Sequence, residues 1–109
     1  MLAHAPEPEI KAYLAGELVA FTSKTIIDPS ALLDRVTKSR ARGWEWVFGE
    51  FSEELNSVAA PVRDRADQVI AAIHVHGPTF RFPGNEFADA IGKKVAETAK
   101  RLTQALRQP

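Results

Sequence analysis

The chain has 109 residues, of which 45% are apolar and 26% charged, a balance typical of one folded domain. Its 14 basic and 14 acidic side chains give zero net charge, whereas a domain built to grip nucleic-acid phosphates is usually basic. It has no cysteine, which excludes disulfides and thiolate metal sites. Because no apolar run approaches the ~20 residues that span a bilayer and no signal peptide is evident, we expect a cytoplasmic protein.

Two helices are predicted before residue 44. Residues 6–15 begin with prolines and glutamates, which suit a first helical turn, and carry apolar side chains on one side. Residues 18–27 are apolar and β-branched without a helical period, so we expect extended or irregular backbone there. Asp28 is a good N-cap for a second helix because Pro29 follows it, and Gly43 suits the end of that helix.

Four basic residues lie within the second half of this helix: Arg35, Lys38, Arg40 and Arg42. One interpretation is contact with nucleic acid. The other is a solvated helix face whose cations offset the negative end of the helix dipole. The pattern favours the solvated face, because the cations cluster near the helix end and the chain as a whole is neutral.

Three strands are predicted next, over residues 44–49, 57–62 and 69–76. In the first, Trp44, Trp46 and Phe48 alternate with Glu45 and Val47, so the two sets lie on opposite sides. A polar stretch at residues 63–68 has the length of a hairpin turn between the second and third strands. The strands therefore predict an antiparallel sheet.

The chain closes with a strongly amphipathic helix over about residues 85–106. Its apolar side chains recur every three or four residues: Phe87, Ile91, Val95, Ala99, Leu102 and Leu106. The order of two helices, three strands and a helix predicts an α/β fold of the α+β type. In this fold an antiparallel sheet of at least three strands has helices packed on one face.

Several segments resemble the effector-binding domain of the IclR family of bacterial transcription regulators. The central match consists of Arg42-Gly43-Trp44, Glu50, Val58-Ala59-Ala60-Pro61-Val62-Arg63-Asp64, Val69-Ile70-Ala71-Ala72-Ile73 and Gly77-Pro78. Leu2-Ala3-His4-Ala5-Pro6-Glu7 and Thr25-Ile26-Ile27-Asp28 resemble the family's helix approaches. The resemblance covers nearly the whole chain, and its central part is the most specific.

The resemblance implies a GAF/profilin-like partial domain. Residues 1–109 would be the C-terminal portion of an effector-binding domain, without the first part of that domain and without the winged helix-turn-helix. It implies a sensor of a small organic molecule, an organic or aromatic acid, and not an enzyme, with no cofactor. The expected partners are the effector and further copies of the chain in a dimer or tetramer. DNA would be contacted only through the absent domain, and no membrane is expected.

The resemblance also assigns a ligand-binding face. By position, the family's pocket residues correspond to Val47, Ser57, His74 and His76, and a bound aromatic ring would also lie against Ala59. The residues themselves agree in part, because histidines two apart leave the same side of a strand. If Ser57 pairs with His74 across the hairpin, the polar groups converge. The family's large apolar residues at the two tryptophan positions favour core packing over ligand stacking.

Other interpretations of the two histidines remain open. They are ordinary exposed sheet residues, or they supply two metal ligands, with Glu45, Glu50 or His4 as the third. A hydrolase would use His74 as base and Ser57 as nucleophile, although no orienting carboxylate or nucleophile elbow is evident. For the chain as a whole, the rival to a sensor is a stand-alone interaction module that binds itself or an intact regulator.

Overall fold

The computed structural model describes residues 1–85 and 87–108. A short 3-10 helix, Leu2–His4, precedes α1 (Glu7–Ala15), α2 (Pro29–Arg42), β1 (Glu45–Phe48), β2 (Leu55–Arg63), β3 (Val69–Pro78) and α3 (Ala88–Arg107). This order confirms the predicted α+β fold with a three-stranded antiparallel sheet. The predicted last helix also contained Glu86, which lies outside the described residues. None of the helices in the described ranges is long and apolar enough to cross a membrane.

The ends of α2 are set by local chemistry, as the sequence predicts. The Asp28 carboxylate accepts a hydrogen bond from the Ala31 backbone N–H at 2.9 Å, which satisfies a donor of the first turn. Gly43 ends the helix with a φ of +91°, a left-handed conformation that glycine adopts without steric cost. The segment before α2 is irregular, as expected, and the Thr22 hydroxyl donates to the Gly49 carbonyl at 2.7 Å. That hydrogen bond ties the segment to the turn after β1.

The register of the β2–β3 hairpin differs from the expected one. Ser57 lies opposite His76, and His74 lies opposite Ala59, so the expected Ser57–His74 pair is wrong. The hairpin is centred one residue later than expected. The Asp64 carboxylate accepts the Ala66 and Gln68 backbone N–H groups in the turn, and the register shifts between Val62 and Arg63 just before it. The error amounts to two residues along β3. It therefore leaves His74 and His76 on their predicted face.

The main core lies between one face of the sheet and α3. Its buried residues are Trp46, Val58, Ala60, Val62, Val95 and Ala99, with Trp44 packed against them. The Trp46 indole N–H donates to the Ala88 carbonyl at 2.8 Å. Both tryptophans therefore pack between β1 and α3, which confirms core packing over ligand stacking.

The predicted apolar stripe of α3 is only partly the buried face. Phe87, Leu102 and Leu106 are 58%, 41% and 46% exposed. The residues turned inward are Gly92, Val95, Ala99 and Thr103. A sheet of three strands is narrower than the stripe, and the helix presents its small residues where the tryptophans and β2 approach most closely. The two leucines of the last turns consequently face outward.

A second apolar cluster, separate from the main core, joins the first three helical elements. Ala3, Ile10 and Val36 are its buried members. Arg35 then links α2 to the sheet, because its guanidinium contacts the Glu45 carboxylate at 3.2 Å, the Glu50 carboxylate at 3.0 Å and the Trp46 carbonyl. The interpretation of the basic run as a solvated face is therefore wrong for Arg35.

Burial by itself would lower the pKa of Arg35, but hydrogen bonds and charge from Glu50 and Glu45 outweigh it. The net effect holds the pKa above its ordinary value, and the guanidinium stays charged. We therefore expect Arg35→Lys to lower the free energy of unfolding by about 1–2 kcal/mol, because an ammonium cannot reproduce the forked contacts. Urea unfolding measures the change. Arg40→Lys on the exposed side of the same helix is the control, and equal stabilities for the two variants would contradict the linking role.

Gly92 gives a second test of the core. A Cβ built on Gly92 would overlap the Trp44 indole nitrogen. Helix propensity alone would make Gly92→Ala stabilising by about 1 kcal/mol, but overpacking of this kind costs roughly 1–3 kcal/mol. We expect a net loss of stability in thermal or urea unfolding. Lys93→Ala, at the exposed neighbouring position, controls for propensity, and a gain of stability in Gly92→Ala would show that the packing is loose.

Candidate functional site

Two cross-strand rows place all the predicted site residues on the sheet face opposite α3. In one row Val47 lies opposite Ser57, which lies opposite His76. In the next row Glu45 lies opposite Ala59, which lies opposite His74. The alternate residues of β2 point into the core, so this face is the one that α3 leaves uncovered. We call Val47, Ser57, Ala59, His74 and His76 the sheet-face site.

The polar groups of the sheet-face site lie at its β3 side. The imidazole rings of His74 and His76 are 5.3 Å apart between centroids and tilted by 38°. Both side chains are exposed, whereas Val47, Ser57 and Ala59 are half-buried. The face therefore combines an apolar floor with two imidazoles and one hydroxyl. Imidazole N–H and hydroxyl groups can donate hydrogen bonds to a carboxylate or a phenolic oxygen.

The start of the chain flanks one end of this face. A cavity of about 50 Å³ beside Ala59 is also lined by Met1 and His4. The Arg63 guanidinium approaches His4 Nδ1 at 3.1 Å, and the lone pair of a neutral imidazole accepts this hydrogen bond. Burial, and then the charge of Arg63, lower the pKa of His4 below its ordinary value. The imidazole is accordingly held neutral, and Arg63 connects the 3-10 helix to the end of β2.

Glu45 belongs to the same face, although the sequence pointed to it only as a possible third metal ligand. Its carboxylate contacts Arg35 at 3.2 Å and Arg42 at 3.0 Å. The alternation of β1 already placed it beside Val47 on one side of the strand. These contacts with two arginines neutralise the negative charge of Glu45. Without them, the carboxylate would repel an anionic ligand bound against Val47 and Ala59.

The metal interpretation finds little support in this arrangement. Arg35 forms ion pairs with Glu45 and Glu50, and Arg63 forms a hydrogen bond with His4. Each residue that was expected as the third metal ligand therefore already has an arginine partner. Within residues 1–85 and 87–108, no group of three or more histidine or carboxylate side chains could hold an ion.

The hydrolase interpretation required Ser57 beside His74, but Ser57 lies opposite His76. The carboxylate on the same face, Glu45, is paired with arginines and does not orient either imidazole. The arrangement lacks the ordered chain of nucleophile, base and carboxylate that activates a serine. What remains is a face suited to holding a ligand by hydrogen bonds and apolar contact.

Comparisons with known proteins agree along nearly the whole chain. The family profile described as "Bacterial transcriptional regulator IclR C-terminal" matches residues 1–104. The HTH-type transcriptional regulator BhcR of Paracoccus denitrificans is 35% identical over 104 residues, which are 94% of this chain and 37% of that protein. The IclR structure of Thermotoga maritima superposes with a TM-score of 0.88 at 28% identity, over 98% of this chain and 43% of that one.

A further solved structure is an IclR homolog of Microbacterium hydrocarbonoxydans in complex with 4-hydroxybenzoate. It superposes with a TM-score of 0.85 at 24% identity, over 97% of this chain and 42% of that one. This chain thus spans 37% to 43% of the length of these relatives. The profile match, the curated regulators and the shared fold agree with the sequence motifs. The chain therefore belongs to the IclR family of bacterial transcriptional regulators and matches the family's C-terminal domain.

Proposed function

We propose that the sheet-face site binds a small organic acid, and that its occupancy controls DNA binding by a helix-turn-helix domain joined to this domain. The observation that carries the proposal is the pairing Val47–Ser57–His76 beside Ala59–His74 on the face that α3 leaves uncovered. An apolar floor with hydrogen-bond donors along one side is the arrangement that positions a small amphipathic ligand.

An aromatic acid suits the chemistry of this face best. Its ring would lie against Val47 and Ala59, and its carboxylate or hydroxyl would meet the imidazoles and the Ser57 hydroxyl. The separation of 5.3 Å between the two imidazole rings allows both to reach one carboxylate. The Microbacterium homolog holds 4-hydroxybenzoate, a ligand of the class proposed here, although at 24% identity the likeness itself concerns the fold.

Control of DNA by such a ligand requires a difference in affinity between two arrangements of the protein. A ligand that bound both arrangements equally would shift nothing. The curated relative BhcR is an HTH-type regulator, and this chain has zero net charge. We therefore assign sensing to this domain and DNA contact to a separate one, in a cytoplasmic homo-oligomer. The ligand would act by favouring one arrangement of the subunits.

The site is tested by calorimetric titration of 4-hydroxybenzoate, benzoate and phenol. We expect the acids to bind more tightly than phenol, and His74→Ala and His76→Ala each to weaken acid binding about tenfold. The physical reason is the loss of one hydrogen bond to a charged group, which contributes roughly 1.5–3 kcal/mol. Val75→Ala is the matched control, because Val75 lies between the histidines on the opposite face of β3.

Unchanged acid affinity in both histidine variants would remove them from the site. An equal loss in Val75→Ala would indicate a general effect on β3 and not a ligand contact.

A second candidate function is a self-associating interaction module, which the outer edge of β3 favours. β3 has ten residues and pairs only with β2 among the described strands. Between Val69 and Gly77 it contains neither proline nor lysine, the residues that usually protect an edge strand. Ile70, at the bulge, is 52% exposed. Such an edge can pair with the same edge of a second copy.

We expect light scattering to show dimers at micromolar concentration, and Ile70→Lys to shift them towards monomer by placing charge on the edge. Leu33→Lys is the control, because it makes the same exchange at an exposed position on α2. A monomer at all concentrations, or an equal effect of the two variants, would exclude association through β3.

A further inference from the structure

A cavity larger than the one beside Ala59 lies at the end of the sheet where β2 extends beyond β1. The β1–β2 pairing stops at Glu45 and Ala59, so the last residues of β2 lie beyond it. A cavity of about 460 Å³ is found there, between this end of β2, the end of α2 and the second half of α3. Its volume lies within the range of small-molecule sites in proteins.

The charged side chains that line this cavity are Arg42, Arg63, Lys100, Arg107 and Asp67. Asp67 is shared, since its carboxylate lies 3.0 Å from Arg107 and 4.0 Å from Arg63. Its side chain is 73% exposed, so water screens these pairs. Lys100 has no carboxylate within ion-pair distance in the part of the chain that the structure describes. Arg42 is paired at 3.0 Å with Glu45, which is not part of the lining. The lining itself still holds four cations and one carboxylate, an excess of positive charge.

Compensation of helix dipoles explains only part of this lining. Arg42 and Arg107 are the last residues of α2 and α3, where cations stabilise the negative helix ends. Arg63 belongs to a strand, and Lys100 lies about two turns before the end of α3. Arg63 also binds His4 Nδ1 at 3.1 Å and the Asp67 carbonyl at 3.0 Å, which accounts for part of its placement. Lys100 has no such structural partner among the described residues, so its place in the cavity needs another explanation.

Neutral hydrogen-bonding groups complete the lining. The Thr103 hydroxyl oxygen accepts the Arg63 backbone N–H at 3.0 Å, so its own hydrogen remains for another acceptor. The Gln104 side chain contributes an amide. The charge of Arg63 also reaches His4, whose pKa is lowered first by burial and then by this guanidinium. Asp67 therefore offsets only one of the four cations in the lining.

We propose that this cavity binds a small oxyanion with at least two negative charges, such as a di- or polyphosphate or a tricarboxylate. Arg63 and Lys100 are the main contacts. A cleft lined by one sign of charge concentrates its field and attracts counter-ions. Guanidinium groups bind phosphate and carboxylate oxygens through paired hydrogen bonds. The inference does not rest on the sheet-face site, because the two sites share none of their assigned residues.

The test is calorimetric titration of pyrophosphate and of citrate into the full chain at fixed ionic strength. We expect saturable binding of at least one anion, and the tighter of the two identifies whether phosphate or carboxylate oxygens are preferred. Lys100→Gln should weaken binding about tenfold, because a charge-assisted hydrogen bond is lost. Lys94→Gln removes the same charge from an exposed position of α3 outside the cavity, and it should change affinity less than twofold.

Absence of saturation by either anion at millimolar concentration would overturn the proposal. Equal weakening by the two lysine variants would also overturn it, because the anions would then be attracted by net charge alone. Because the titration of aromatic acids uses different variants, failure of one site leaves the other testable.

Discussion

The Arg35 guanidinium makes the densest set of polar contacts between the helical part of the chain and the sheet. The helical cluster around Ile10 and Val36 shares no buried residue with the core between the sheet and α3. Arg35 spans the two by binding the Trp46 carbonyl and the Glu45 and Glu50 carboxylates. The Arg35 side chain is 28% exposed, and a partly buried charge is stable only when its partners are in place, so α2 has one favoured position on β1.

This contact also removes a free negative charge from the face where we propose that an acid binds. Glu45 lies in the same row as Ala59 and His74, where a free carboxylate would repel an anionic ligand. Arg35 and Arg42 neutralise it without occupying the floor. The electrostatics of the proposed effector site thus depend on a residue of α2 that is not itself part of the site.

β2 contributes residues to the core and to both proposed ligand sites. Its inward residues, among them Val58 and Val62, build the core, and its outward residues Ser57 and Ala59 form the floor of the sheet-face site. Its last residue, Arg63, lines the basic cavity and contacts His4 beside the floor. The two proposed sites are therefore joined through one strand. A ligand in either would act on the same rigid element.

Much of this architecture was determined by the sequence alone, because it depends on neighbours along the chain. The caps of α2 at Asp28 and Gly43 and the division of β1 into two faces follow from local sterics and a period of two. The position of His74 and His76 on one face follows for the same reason. It remains correct although the predicted register was wrong, because the register differs by two residues along β3. The family motifs likewise required no coordinates.

Only the tertiary structure decided the rest, because it depends on partners distant in sequence. Alternation says which face a residue occupies but not which residue lies opposite, so the turn and bulge had to decide that Ser57 meets His76. The helical stripe of α3 did not reveal that Leu102 would face outward, since the width of the sheet determines which part of the stripe is covered. The reach of a long side chain such as Arg35 is defined only once α2 and β1 are packed together.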